Sequence, residues 1–140
     1  NLTLTEGLNT ITAEVKDAAG NSASASITVT LDTTPPMIPQ GLNSTGITDS
    51  SLLLNWTPNQ ESDLSGYKLY RDNQFLAIVT GSQTNYQDTG LLSETGYLYE
   101  LTSFDLLGNE SPRSPPLSVT TQLPPDTEPP TVPAGLSALG

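Results

Sequence analysis

Residues 32–42 read DTTPPMIPQGL and residues 126–136 read DTEPPTVPAGL. The aspartate, the threonine after it, the Pro-Pro pair, the third proline and the Gly-Leu step recur at an offset of 126 − 32 = 94 residues. A stiff, proline-rich stretch that returns at the spacing of one small domain marks a tandem array. On this reading, residues 1–31 are the last strands of a truncated domain. Residues 32–41 are a Pro-rich linker and the start of the next domain, and residues 42–125 are a complete repeat. Residues 126–140 are a second linker and the first strand of a further truncated repeat. That last strand is expected to be loosely ordered, because its sheet partners are absent.

Composition narrows the chemistry. The chain has 15 acidic and 4 basic residues among 140, a net charge of −11. Such a chain repels nucleic-acid phosphates and anionic membranes, so neither is expected as a partner. The charge serves solubility, or it binds cations such as calcium. There is no cysteine and no histidine, which removes disulfides, zinc sites built from those residues and nucleophile–histidine triads. No run reaches the ~20 apolar residues that span a bilayer, so no membrane insertion is expected of this segment.

Around the repeated joint lie short alternating runs bounded by Gly, Pro, Asn and Asp, and no long 3.6-residue period. The pattern argues an all-β sandwich. In the first part, Ile11, Ala13 and Val15 alternate with polar residues, as do Ala23, Ala25, Ile27, Val29 and Leu31. Each run is a strand with one face to bury. Asp17-Ala18-Ala19-Gly20-Asn21 between them suits a type I turn closing a hairpin. A lone hairpin is marginal in water, so its partner strands are expected upstream. In the complete repeat, strands are expected near 41–47, 51–56, 66–71, 74–80, 85–87, 96–104 and 116–122, with a turn at Asp72-Asn73 and a polar loop at 57–65. The expected core is Leu42, Ile47, Leu52, Leu54, Trp56, Leu64, Tyr67, Leu69, Ile78, Tyr86, Leu91, Tyr97, Tyr99, Leu101, Leu117 and Val119. The facing of 74–80 is ambiguous, because Phe75, Leu76, Ile78 and Val79 are all apolar.

Two resemblances follow. Residues 6–36, EGLNTITAEVKDAAGNSASASITVTLDTTPP, resemble the last strands of a bacterial immunoglobulin-like repeat. Trp56, the GYKLYRD run, the TNYQDTGL run, Leu91 six residues before Tyr97, and SFDLLGNESPRS together resemble a fibronectin type III domain of the bacterial extracellular kind. That likeness covers about two-thirds of the chain. It implies an all-β, Ig-like sandwich and a tyrosine corner in which the Tyr97 hydroxyl bonds back to the chain near Leu91. Ser93 stands where the family often has proline.

Few residues suggest chemistry. Trp56 alternates with Leu52 and Leu54 and reads as core rather than as a sugar platform. Tyr70, Phe75 and Phe104 fall on the other or an uncertain phase, and a planar strip of them would support carbohydrate binding. Glu61 and Asp63 form a carboxylate pair, but a glycosidase pair needs a cleft and one raised pKa, so they read as a solvated loop. Asp17-x-x-Gly20-Asn21 recurs as Asp105-x-x-Gly108-Asn109. This is turn chemistry, or a turn aspartate joins Asp32 or Asp126 to bind calcium at a domain joint, although calcium takes six to eight oxygens. The Asn-x-Ser/Thr triplets at Asn1, Asn43, Asn55 and Asn109 carry no weight in a chain so rich in Ser and Thr.

No catalytic residue, no cofactor and no metal ligand is assigned. The expected role is a non-catalytic spacer and interaction module in a tandem array. Its setting would be an extracellular protein, secreted or anchored at the bacterial cell surface, such as a stalk or adhesin. The alternatives are an accessory linker in a secreted polysaccharide-degrading enzyme, or direct binding of a glycan or protein. The expected partners are neighbouring domains of the same chain, with a surface glycan or protein as a further option, and the chain is expected to be monomeric.

Overall fold

The computed structural model describes residues 2–131 and 135; the strand expected after the second joint lies outside them. Among these residues the chain forms nine strands and no helix. They are β1 (Gly7–Lys16), β2 (Ser22–Leu31), β3 (Gln40–Thr45), β4 (Ser51–Thr57), β5 (Leu64–Arg71), β6 (Gln74–Thr80), β7 (Asn85–Thr89), β8 (Gly96–Asp105) and β9 (Leu117–Thr120). All pairings are antiparallel.

β1 and β2 make a two-stranded sheet of their own. Ile11 faces Ile27, Ala13 faces Ala25 and Val15 faces Ala23. Directly opposed residues share a face, so the two apolar rows fall together and Ser and Thr line the other side. The described residues leave that apolar face open, with Val15 67% and Ile27 62% exposed.

The remaining strands form a sandwich. One sheet has the order β3-β4-β7 and the other β6-β5-β8-β9. The inward rows are Leu52, Leu54 and Trp56 from β4, Tyr67 and Leu69 from β5, Tyr99 and Leu101 from β8, and Val119 from β9, with Leu91 beside them. Trp56 packs edge-on to Tyr67 at 5.4 Å between ring centroids, so it belongs to the core. The Leu92 N–H donates to the Tyr97 hydroxyl at 2.9 Å, the tyrosine corner at the expected place.

One core residue is corrected. Ile78 is 56% exposed, and its neighbour Val79 is buried instead. Tyr67 pairs with Val79 and Leu69 with Ala77, yet Tyr70 pairs with Phe75. Leu76 is therefore an extra residue, a β-bulge that shifts the phase of β6. Val79 faces inward beside Tyr67, and Phe75 and Ile78 face out. Alternation could not place this shift in a run that is apolar throughout.

Two polar arrangements close the sandwich. Asp88 on β7 is 3% exposed. It accepts two bonds from Arg71 Nη1 at 3.0 and 2.9 Å and one from the Tyr99 hydroxyl at 2.7 Å. This links the two sheets. Burial and the Asp88 carboxylate push the Tyr99 phenol well above its ordinary range. Beside β8, Pro112, Pro115 and Pro116 withhold donors, and the edge strand breaks. Ser111 and Ser114 compensate: their hydroxyls accept from the N–H groups of Ser103 and Leu101, and their own N–H groups bond the carbonyls of the same two residues.

Gly66 marks a close approach. A Cβ there would lie 2.3 Å from the Val79 carbonyl and 3.0 Å from the Phe104 ring. Gly66→Ala is expected to lower unfolding free energy by about 1–3 kcal/mol through overpacking. Asp88→Asn strips the charge that balances Arg71, whose side chain is about one-third exposed; a loss of about 2–4 kcal/mol is expected, less than for a fully buried pair. Urea titration with an unchanged m-value checks both.

Candidate functional site

The joint opens at Asp32, directly after β2, and runs to Pro39, directly before β3. Pro36 and Pro39 are buried, and three prolines in eight residues fix φ and withhold donors. The groups that remain are held. On the hairpin side, Glu6 accepts from the Thr33 N–H and hydroxyl, each at 2.9 Å, and from the Thr34 hydroxyl at 3.2 Å. On the sandwich side, the Met37 N–H donates to Glu61 Oε1 at 2.6 Å. The Met37 carbonyl accepts from Asn59 Nδ2 and from the buried Ser103 hydroxyl, each at 2.7 Å. Asn109 Nδ2 reaches the Asp32 carbonyl at 3.1 Å.

The two Asp-x-x-Gly-Asn turns are built alike. Asp17 Oδ1 accepts from the N–H groups of Ala19 and Asn21, and Oδ2 from Asn21 Nδ2. Asp105 accepts the matching three bonds from Leu107 and Asn109. Gly20 and Gly108 have φ of 90° and 89°, a conformation that glycine adopts without strain. Turn chemistry thus accounts for both motifs. The second turn also grips the joint through Asn109. The aspartates that open the joints match too: Thr34 N–H donates to Asp32 Oδ1 at 3.0 Å and Glu128 N–H to Asp126 Oδ1 at 2.9 Å.

Folding brings Asp32, Asp63 and Asp105 together, with one carboxylate oxygen from each within 4.8 Å of the others. Asp17 and Asp126 are not in this group. Three such oxygens are fewer than the six to eight that calcium takes. The chain's four cationic side chains pair elsewhere, with Glu14, Glu110, Asp88 and Glu100. Glu61, expected in a solvated loop, is instead a joint ligand. Its burial raises its pKa, but the Met37 N–H and other donors outweigh this and hold it below the usual carboxylate range. A glycosidic general acid needs the opposite shift.

Tyr70 and Phe75 do not form a planar strip. Tyr70 and Phe75 meet edge to face at 79°, 6.2 Å apart. Arg113 covers the Tyr70 ring at 3.9 Å, and Lys68 stands over Phe104 at 5.5 Å. Sequence reasoning passed over Glu6, Asn59 and Arg71–Asp88. For the last pair a signal existed, since Arg71 shares the inward phase of Tyr67 and Leu69, and Asp88 that of Tyr86.

Neutralising one member of the Asp32–Asp63–Asp105 group removes like-charge repulsion. Asp63→Asn is expected to raise the melting temperature by roughly 2–5 °C at neutral pH and low salt, less at high salt. Acid acts the other way on the paired carboxyls. Burial raises the pKa of Asp105, but the side chain and backbone of Asn109 and the Leu107 N–H carry it below the ordinary value. Glu110 is likewise raised by burial and then lowered further by Lys68, Thr102 and Tyr70. Groups with lowered folded pKa stabilise above their unfolded pKa, and that contribution fades as pH falls through the folded value. Melting curves between about pH 6 and about pH 3 should fall, and Glu110→Gln should flatten the drop because it cannot gain a proton.

Comparison with known proteins places these features. Residues 37–120 match the family model of the fibronectin type III domain. Exoglucanase B of Cellulomonas fimi is 38% identical over 109 residues, covering 76% of this chain and 10% of that protein. A chitinase of Paenibacillus xylanexedens is 39% identical over 95 residues, covering 67% of this chain and 18% of its own length. The chain thus spans less than one-fifth of each relative. Among solved structures, three fibronectin domains of chicken contactin superpose with a TM-score of 0.61 at 17% identity, over 85% of this chain and 45% of that one. The structure of "FN3tt mut" gives a TM-score of 0.55 at 28% identity, over 64% of this chain and 100% of that one.

Proposed function

Since the chain belongs to the fibronectin type III family by its residues 37–120, we propose that it is a non-catalytic spacer in a tandem β-sandwich array of an extracellular bacterial protein. The observation that carries this reading is the joint, whose backbone is hydrogen-bonded from the hairpin side by Glu6 and from the sandwich side by Glu61, Asn59, Ser103 and Asn109. A segment with few free donors and restricted φ angles transmits orientation from one unit to the next. Strands of about 8–10 residues at ~3.3 Å rise make each unit about 30 Å long. Stacking such units holds a distal head away from a cell or a substrate.

The parent protein is then a surface stalk or adhesin, or a polysaccharide-degrading enzyme in which this module separates other domains. The names of the bacterial relatives, an exoglucanase and a chitinase, favour the second setting. In either, the partners are neighbouring domains of the same chain.

Pro35→Gly/Pro36→Gly and Asn109→Ala are expected to broaden the distribution of angles between the hairpin and the sandwich. Small-angle scattering fitted to an ensemble checks this, with Asn21→Ala, at the far tip of the hairpin, as the control. An unchanged spread in both joint variants would remove the mechanical role of the joint.

A further inference from the structure

The outer face of the four-stranded sheet differs from the rest of this acidic molecule. Its cross-strand rows run Ile78–Lys68–Thr102 and Phe75–Tyr70–Glu100, with Phe104 lying across Gly66. Glu110 and Arg113 complete it from the segment after β8. Two cations and two anions stand here, and they pair: Lys68 with Glu110, and Arg113 with Glu100 at 2.6 Å. The local charge is zero in a chain of net charge −11. The charged groups also cover the rings of Tyr70 and Phe104, so the apolar surface left open is Phe75 and Ile78, 58% and 56% exposed.

From this we propose that the β6 side of the outer sheet face binds an uncharged polysaccharide. Phe75 stacks on the apolar face of a sugar ring and Ile78 flanks it. The charge pattern selects the occupant. A polyanion is repelled by the whole molecule, and a cationic partner is drawn to the acidic surfaces rather than to the face where charges cancel. A second copy brings another −11. An uncharged, hydroxyl-rich polymer meets none of these penalties, and stacking on an exposed aromatic ring suits its apolar ring faces. The bulge at Leu76 creates the site, because it turns Phe75 and Ile78 to the same outer surface. This binding is separate from the spacer role and does not depend on it.

The test is depletion of the chain from solution by microcrystalline cellulose and by chitin at about 0.15 M salt, where surface charge is screened beyond about 8 Å. Binding to at least one of them is expected. Phe75→Ala and Ile78→Ser, both at exposed positions, should each weaken it about tenfold, the loss of one anchoring side chain worth about 1.4 kcal/mol. Met37→Ser, an exposed apolar residue at the joint, should leave it unchanged, and anionic carboxymethyl cellulose should not compete. Circular dichroism confirms that the variants fold. Absence of binding to both solids, or equal binding by wild type and Phe75→Ala, overturns the proposal. So does a concentration-dependent dimer abolished by the same substitutions, which would assign the face to a second copy. Each of these outcomes leaves the scattering test of the joint unaffected.

Discussion

Two sheets that close on each other must find partners for nearly all the polar groups trapped between them, because an unpaired buried donor or charge costs more than a hydrogen bond returns; here, among the described residues, the Trp56 indole N–H is a core donor left without one. In this sandwich that constraint falls on one ion pair and a few hydroxyls. Asp88 is taken out of water with Arg71 and the Tyr99 phenol already on it. Ser111 and Ser114 restore the ladder that three prolines interrupt. The apolar rows of β4, β5 and β8 supply the attraction, and these polar contacts fix how the two layers align.

The same rule explains the joint. Prolines leave the segment between hairpin and sandwich with few backbone donors, and side chains from both units take the groups that remain. Met37 shows the economy of the arrangement. Its N–H and carbonyl are held by three side chains from the sandwich, while its own side chain is 74% exposed. The Asp105–Asn109 turn does two things at once, since the caged aspartate orders the turn and Asn109 then reaches Asp32. The sandwich domain thus holds the backbone of the linker with its own side chains.

Charge sorts the surfaces. Because every lysine and arginine is paired, the excess of carboxylates is unbalanced wherever those four residues are absent. Three of these carboxylates, Asp32, Asp63 and Asp105, converge. The outer face of the larger sheet holds two of the four cations, each paired with a glutamate.

Period-2 alternation in the chain was enough to specify an all-β sandwich and most of its core, because each strand's buried face repeats locally; turn-residue chemistry placed the hairpin turn at Asp17, and the resemblance to the fibronectin type III family implied the tyrosine corner. The first Asp-Thr-x-Pro-Pro stretch lies in the segment between β2 and β3. What local pattern could not supply was phase and distance. The bulge that exposes Ile78 and buries Val79 sits in a run with no polar residue to betray it. The Arg71–Asp88 link needs two strands on different sheets to meet, across 17 residues of chain. The meeting of Asp32 with Asp63 and with Asp105 at the end of β8 joins segments far apart in sequence, and so does the capture of Met37 by Asn59, Glu61 and Ser103. Such contacts exist only once the sheets have packed, which is why alternation revealed the layers but the folded chain was required to show what holds them and the joint in place.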